Sequence, residues 1–407
     1  MRAIDYVWRA SLKNTCIALV LLLASVPLSA QTLRDAVERA WLRQPANQAQ
    51  TARAEEFAAK RDAAQALFPE PPSLSISNRD DRLHRNQGAR ELSAAIALPL
   101  WLPGEQGRQG AVVSAERDQY DTALVAAKLR LAGEVRDAFW QARLAENELA
   151  LTRRKAEEAA VLAADVDRRV KAGDLARVDL NQAQSAERLA RAALTEAEIK
   201  IFRARQGFNV LTGSDTLPDG EEALGAGAVN VDSHPLLAPL QRTVAATQAR
   251  LNLATQSLRG NPELEFGLRR ERGLFDEPYA HSLEVRFRLP FATDARNKPR
   301  IAAANAELIE AQAAFGLERA RLAAELEAAL RELGQARQVM QLTETRFTLA
   351  ADTQRLLAKA FGLGELDLIT RLRAENERFE AELAHARARV EADRAVSRLN
   401  QAQGILP

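Results

Sequence analysis

From residue 31 onward, the polar and apolar positions of the chain write one pattern twice. Each half has a Pro-flanked helix start (Gln44-Pro45, His234-Pro235) and a Pro-led apolar/polar alternation from Pro72 or Pro262. A second alternation ends Leu98-Pro99-Leu100 or Leu289-Pro290-Phe291, and a very long helical pattern follows. In the first long segment small or apolar residues recur at 4-3 spacing through Leu131, Val135, Ala138, Ala142, Ala145, Leu149, Thr152, Ala156, Ala159, Ala163, Val166 and Val170. In the second they run through Leu322, Leu326, Ala329, Leu333, Ala336, Met340, Thr343, Phe347 and Ala350, break at Gln354, and resume at Leu357 and Phe361. A shift of about 191 residues carries the first series onto the second.

The lengths of the helical segments are informative. Residues 104–170 contain no proline and would span on the order of 100 Å as a helix, far beyond a globular domain. Flanking helices are predicted over residues 32–66, 175–211, 235–257 and 366–403, and two shorter ones end to end approximate one long one. The tail helix repeats the seam at Ala190, Leu194, Ala197, Ile201, Ala204, Phe208 and Leu211. Alanine at the seam lets helices approach closely, and the charged remainder suits water on two sides, so a curved wall of helices fits. An ordinary antiparallel bundle is the alternative on the helices alone, but it calls for a wider apolar face.

The alternating segments argue against the bundle. Leu264, Phe266 and Leu268 alternate with Glu263, Glu265, Gly267 and Arg269, and Leu283, Val285, Phe287 and Leu289 alternate with Ser282, Glu284, Arg286 and Arg288. A strand between lipid and a water-filled lumen must alternate in this way, although a soluble half-buried hairpin also can. The first half is weaker: Leu74 and Ile76 lie among Ser73, Ser75 and Ser77, and Leu92, Ala94, Ile96 and Leu98 have small residues between them. Each segment has about the length that crosses a bilayer at a tilt. Trp101 and Phe291 follow the second strands, where an aromatic suits the inner interface. Four strands cannot stand in lipid with open edges, so other copies must close the sheet. Two copies would give a filled eight-stranded barrel and three a twelve-stranded one with a channel; charged inward faces favour three.

The N-terminus bears on compartment. Arg2, Arg9 and Lys13 precede an apolar run at residues 17–23, and Leu28-Ser29-Ala30 ends in a small residue, the pattern of a secretory signal peptide over residues 1–30. The run is about half as long as a spanning helix needs. Cys16, the only cysteine, falls within it and has no lipobox before it, so cleavage after Ala30 leaves no thiol, disulfide or lipid anchor. Cleavage would also move the formal charge from +1 to about −1, which shows no bias toward nucleic acid or another polyanion. Aromatics are only 5% of the chain, and Ala, Glu, Arg, Leu and Gln dominate, as in coiled-coil-like helices. The segments divide into a first repeat at residues 31–213, a linker at 214–233 and a second repeat at 234–407.

Together with the paired repeats, the tip sequences Lys171-Ala-Gly-Asp-Leu-Ala-Arg-Val-Asp-Leu180 and Lys359-Ala-Phe-Gly-Leu-Gly-Glu-Leu-Asp-Leu368 resemble the TolC-like outer-membrane efflux proteins. So do the helix ends Leu211-Thr-Gly213 and Leu399-Asn-Gln-Ala-Gln-Gly404, and the resemblance covers residues 31–407. It implies a mainly α fold with a transmembrane β-barrel portion. Four strands per chain would close as a homotrimer into a twelve-stranded barrel in outer-membrane lipid, continued by a helical tunnel in the periplasm. It also implies two partners, a periplasmic adaptor (membrane fusion) protein and an inner-membrane resistance-nodulation-division transporter. Ala360-Phe-Gly-Leu-Gly-Glu-Leu-Asp-Leu-Ile-Thr370 with Arg373-Ala374 is most similar to the heavy-metal branch, and ducts for drugs or secreted protein are the alternative. No cofactor or metal site is expected: His84, His234, His281 and His385 are scattered.

The helical tips are the candidate site. Gly173, Gly362 and Gly364 suit tight helix reversals, and Leu175 and Leu363 can pack on a partner's hairpin, with Asp174 and Glu365 beside them. Asp179 and Asp367 are read as matching positions one turn into the descending helices. The resemblance implies that Asp367 belongs to an acidic ring narrowing the periplasmic entrance, with Thr370 at the ring's second position. The plainer reading of both carboxylates is helix-start electrostatics. Glu55-Glu56 and Glu157-Glu158 read as solvated helix faces, and Arg269-Arg270-Glu271-Arg272 as a barrel rim or lumen rather than a nucleic-acid site. No nucleophile–base pair or phosphate loop is evident, so the chain reads as a conduit, not an enzyme. A periplasmic adaptor would have one hairpin and soluble β domains, and a structural coiled-coil protein would have no use for the charged alternation.

Overall fold

The computed structural model describes residues 32–219, 222–225 and 230–407; the signal-peptide segment 1–30, with Cys16, lies outside the described residues, as does part of the linker 214–233. In chain order the elements are α1 (Leu33–Arg43), α2 (Pro45–Gln48), α3 (Gln50–Ala64), β1 (Ser73–Asp80), β2 (Arg90–Pro99), α4 (Glu105–Ala172) and α5 (Arg177–Thr212). After a 3-10 turn at Val231–Ser233 come α6 (Ala238–Gln256), β3 (Glu263–Arg272), β4 (Ala280–Arg288), α7 (Asp294–Gly362) and α8 (Leu368–Ala402). The long helices have 68 and 69 residues, which at 1.5 Å each is roughly 100 Å. The single N-terminal helix expected over residues 32–66 is instead broken at Pro45. Proline disfavours a helical residue before it, and Gln44 is extended (φ −69°, ψ 134°).

The described residues form two compact units. One holds the chain up to Arg39, residues 135–222 and Pro407; the other holds residues 40–134 and 223–406. In the first, the seam of α4 is buried at Val135, Ala142, Ala145, Ala156, Ala163 and Val166, as are Ala190, Ala197, Ile201 and Phe208 of α5. Arg205 of α5 pairs with Glu146 of α4 at 2.7 Å, outside the seam. Arg136, itself buried, forms an ion pair with Glu222.

In the second unit Ala329 and Leu333 of α7 pack on Ala395 and Leu399 of α8. Small and branched residues at 4-3 spacing put one narrow stripe of each helix inside and leave the remainder wet. The C-terminal carbonyls of α6 and the turn after it would otherwise lack partners. The Arg300 side chain donates to the carbonyl of Ala254 (3.2 Å) and to that of Ser257, and Asn297 donates to that of Leu258 (2.6 Å). The Asn400 side chain accepts from the N–H of Gly225 and donates to the Ala223 carbonyl, both at 2.9 Å, holding the chain that leads into the second repeat. Gly404, at φ +76°, packs against Pro235 so closely that a Cβ there would lie 2.5 Å from the proline Cδ.

All four strands form one antiparallel sheet in the order β1-β2-β3-β4, so β1 and β4 are its edges. The junction between the repeats is the β2–β3 pair, in register from Arg90↔Arg272 to Pro99↔Glu263. It continues below the strands, where the Leu100 N–H donates to the Pro262 carbonyl at 2.7 Å. Trp101 anchors the exit of β2: its indole N–H donates to the Ala66 carbonyl at 2.9 Å.

Candidate functional site: helical turns and sheet faces

Cross-strand partners share a face of a sheet, so the register assigns every side chain. Leu74↔Ile96, Ile96↔Phe266 and Phe266↔Val285 form one row, and Ile76↔Ala94, Ala94↔Leu268 and Leu268↔Leu283 the next. A third row runs Leu98↔Leu264↔Phe287. Thus Leu264, Phe266, Leu268, Leu283, Val285 and Phe287 all fall on one apolar face with the weaker strands of the first repeat. Leu268, Leu283, Val285 and Phe287 are each more than half exposed, so nothing among the described residues covers this face.

The opposite face is polar and largely ion-paired. On β3 and β4 Arg269 contacts Glu284 at 2.9 Å and Glu91 at 3.3 Å, Arg286 contacts Glu284 at 2.8 Å and Glu265 at 3.2 Å, and Arg288 contacts Glu263 at 2.6 Å. On β1 and β2 the same face carries Ser73, Ser75, Ser77, Ser93, Ala95 and Ala97. Gly267 lies where β2 and β3 are tightest, since a Cβ there would meet that of Ala95 at 3.0 Å. The Arg269-Arg270-Glu271-Arg272 run, contiguous in sequence, is therefore split: Arg269 and Glu271 lie on the ion-paired face, Arg270 and Arg272 on the apolar one.

The hairpin loops beyond the strands touch. The Phe275 N–H donates to the Gln87 carbonyl at 3.0 Å, and Gly88, at φ +102°, leaves no room for a Cβ beside Phe275. Asp81 ties the first loop down by accepting from the N–H of Gln87 at 2.7 Å.

The first helical turn lies in the first unit. Gly173 is left-handed (φ +87°), its N–H donates to the Val170 carbonyl, and that of Asp174 donates to the Arg169 carbonyl at 2.9 Å, a six-residue closure that ends the helix. Asp174 is exposed and Leu175 half-buried. The Asp179 carboxylate accepts from the N–H of Ala176, the residue capping α5, at 3.0 Å. Alanine offers no side-chain acceptor in return, so only half of a capping box is present.

The second turn lies in the second unit and closes in the same way, with Gly364 left-handed (φ +80°) and the Glu365 N–H on the Ala360 carbonyl at 3.0 Å. Asp367 is itself the cap of α8: its carboxylate accepts from the Thr370 N–H at 2.9 Å. The Thr370 hydroxyl and N–H together hold the Asp367 carboxyl below its ordinary value, with a smaller contribution from Arg373. Phe361 and Leu368 are buried beneath the turn, and the Arg371 guanidinium lies over the Phe361 ring at 4.8 Å while contacting Glu375 at 3.0 Å. Leu363, by contrast, is 67% exposed.

Two expectations about the turns change. First, Gly362 is the last residue of α7 and not left-handed; Gly364 makes the reversal. Second, Asp179 and Asp367 are not equivalent. Aligning the left-handed glycines Gly173 with Gly364 and Gly213 with Gly404 uses the shift of about 191 residues found in the helices. It pairs Leu175 with Leu366, Ala176 with Asp367, and Asp179 with Thr370. The two turns thus hold complementary halves of one capping box, the N3 acid in the first and the N-cap acid in the second. Thr370 supplies the N–H that the Asp367 carboxylate accepts. Sequence inspection overlooked the Arg371–Phe361 stack, although an Arg ten residues after an aromatic across a Gly-rich turn was there to be seen.

No protein-family model matches the sequence, and no curated protein matches it. Solved structures do. A membrane protein from Pseudomonas aeruginosa is 21% identical, with a TM-score of 0.75 over 91% of this chain and 93% of the other. CusC, described in terms of folding and transmembrane channel formation, is 16% identical, with a TM-score of 0.76 over 93% of each chain. The Campylobacter jejuni CmeC outer membrane channel is 13% identical, with a TM-score of 0.73 over 91% of this chain and 85% of the other. With strands and long helices in this order, the chain has the fold of these solved membrane proteins.

Proposed function

We propose that three copies of this chain close edge to edge, β4 of one against β1 of the next, into a twelve-stranded barrel in the outer membrane. The long helices continue it as a tunnel in the periplasm, and the whole is the passive duct of a tripartite efflux system. The observation that carries this reading is the sheet itself: one uncovered apolar face, one ion-paired polar face and two unpaired edges. Only closure satisfies such edges in lipid, and twelve strands leave a water-filled lumen where eight would be filled. Similarity to outer-membrane channels supports the location. Each polar-face arginine of β3 and β4 is engaged by glutamate, so four glutamates against three arginines leave little net charge there, as suits a conduit whose selectivity lies in its partners.

Those partners are inferred to be a periplasmic adaptor docking at the helical turns, where Val178, Leu363 and Ile369 are exposed, and an inner-membrane resistance-nodulation-division pump. Heavy-metal cations are the inferred cargo, on the sequence of the second turn, and drug efflux is the other outcome of a transport assay. The test is topological. In cells, Arg82→Cys and Phe275→Cys, both in the hairpin loops, should label with an impermeant thiol reagent, and the protein should run as a heat-labile trimer from outer-membrane fractions. Labelling only after outer-membrane rupture, or a monomer in the soluble periplasm, would overturn the reading.

A further inference from the structure

Beyond the apolar belt, toward the hairpin loops, the outward face of the sheet changes character. Arg90 and Arg272 are direct cross-strand partners, and Arg270 lies one row below between Leu92 and His281. Like charges directly opposite one another destabilise a sheet unless something neutralises them. On the other face Arg269, Arg286 and Arg288 all meet glutamates. Here, among the described residues, no carboxylate contacts Arg90, Arg270 or Arg272; Asp80, opposite Arg90, is engaged by Arg82 at 3.7 Å.

These guanidiniums are nonetheless positioned. Arg270 lies 4.0 Å from the centre of the Tyr279 ring, and Arg272 lies 4.8 Å from that ring and 5.5 Å from that of Phe275. Arg272 also donates to the Gly88 carbonyl at 3.1 Å, which fixes its stem and leaves its remaining N–H groups for another acceptor. Directly below is a shallow groove of about 360 Å³ with Ala94 in its floor, walls of Leu92, Leu268 and Leu283, and Arg270 and His281 at its edge.

We propose that this is a binding site for a phosphate-bearing lipid of the outer leaflet. Its phosphate would lie between Arg90, Arg270 and Arg272, and one acyl chain would fill the groove over Ala94. Guanidiniums are suited to phosphate by their paired donors, and an apolar slot under a cationic edge matches a lipid at the level where headgroup meets chain. A soluble anion would use the arginines but not the groove. The proposal rests on the membrane reading above, which assigns this face to lipid.

The mature full-length protein is refolded into phosphatidylcholine vesicles containing either bis-phosphorylated lipid A or its dephosphorylated form. Flotation reports insertion, and native mass spectrometry after detergent extraction reports retained lipid. Wild type should retain the phosphorylated lipid several-fold more than the dephosphorylated one. Arg270→Gln with Arg272→Gln should abolish the preference, and Ala94→Leu, which fills the groove floor without touching charge, should lower retention. Equal retention of both lipids by floating wild-type protein would overturn the site and leave the membrane reading intact. A wild-type chain that never floats would overturn both. Displacement of the lipid by millimolar inorganic phosphate would overturn the lipid as occupant. Should the double variant fail to insert, the wild-type comparison of the two lipids decides alone.

Discussion

Phe266→Arg is the perturbation that most directly tests which face of the sheet meets lipid. β3 has 10 residues and, at about 3.3 Å each and a tilt near 40°, climbs roughly 25 Å. Phe266 is its fourth residue, which puts it about 4 Å from the midplane on that geometry. Its neighbours in the row, Ile96 and Val285, are apolar, and no carboxylate shares it. An arginine at this depth should cost about 2–4 kcal/mol per chain, and each chain of an assembly would bear it. The comparison is Arg286→Ser on the opposite face, where Glu265 and Glu284 lose a partner but water replaces it. Folding from urea into vesicles, followed by heat-modifiable gel mobility, should show a lowered midpoint for Phe266→Arg and a smaller shift for Arg286→Ser. If Arg286→Ser abolishes assembly while Phe266→Arg is tolerated, the faces are inverted and the barrel reading fails.

Further predictions concern the turns and the repeat junction. Asp367→Asn retains a capping oxygen while removing charge, so in planar bilayers it should lower cation preference and weaken block by multivalent cations without loss of assembly. Asp179→Asn should change neither, and equal effects of the two would remove Asp367 from any gate. Burial pushes the His234 imidazole below its ordinary value of 6.5, against the pull of the Gln401 and Ala402 backbone and of Glu325 and Glu318. The unfolded chain then takes up a proton near that pH that the folded one refuses. Stability should therefore fall as pH drops below about 6.5, and the thermal midpoint of His234→Gln should fall less over the same range. Gly404→Ala should cost more than Gly173→Ala in chemical denaturation. Both carry the left-handed penalty of roughly 1–2 kcal/mol, but only Gly404 would also drive a Cβ into Pro235, since a Cβ at Gly173 would meet nothing within 4 Å.

The legible parts of this fold are those where one physical demand governs many consecutive residues. The seams of α4, α5 and α7 could be read because close helix approach selects small or branched side chains every third or fourth residue for dozens of residues. β3 and β4 could be read because Leu, Phe and Val alternate with Glu and Arg. β1 was fainter, since serines fill its other face. The β2–β3 pair was not readable: it joins residues about 170 positions apart, and nothing local in Ala94 or Leu268 specifies the other.

The turns show where local identity misleads. Asp179-Leu180 and Asp367-Leu368 are the same dipeptide and invite alignment, yet the backbone aligns otherwise, because a helix reversal is fixed by the residue that must be left-handed. Once Gly173 is set against Gly364, the acid of each turn takes a different post, N3 in one and N-cap in the other, and both posts serve orphan N–H groups at a helix start. Each repeat thus holds one half of the box. An N3 carboxylate bends back to the cap, whereas the Asp367 carboxylate sits at the turn itself, ahead of the helix it caps. The asymmetry between the two carboxylates therefore comes from capping geometry rather than from any difference in residue type.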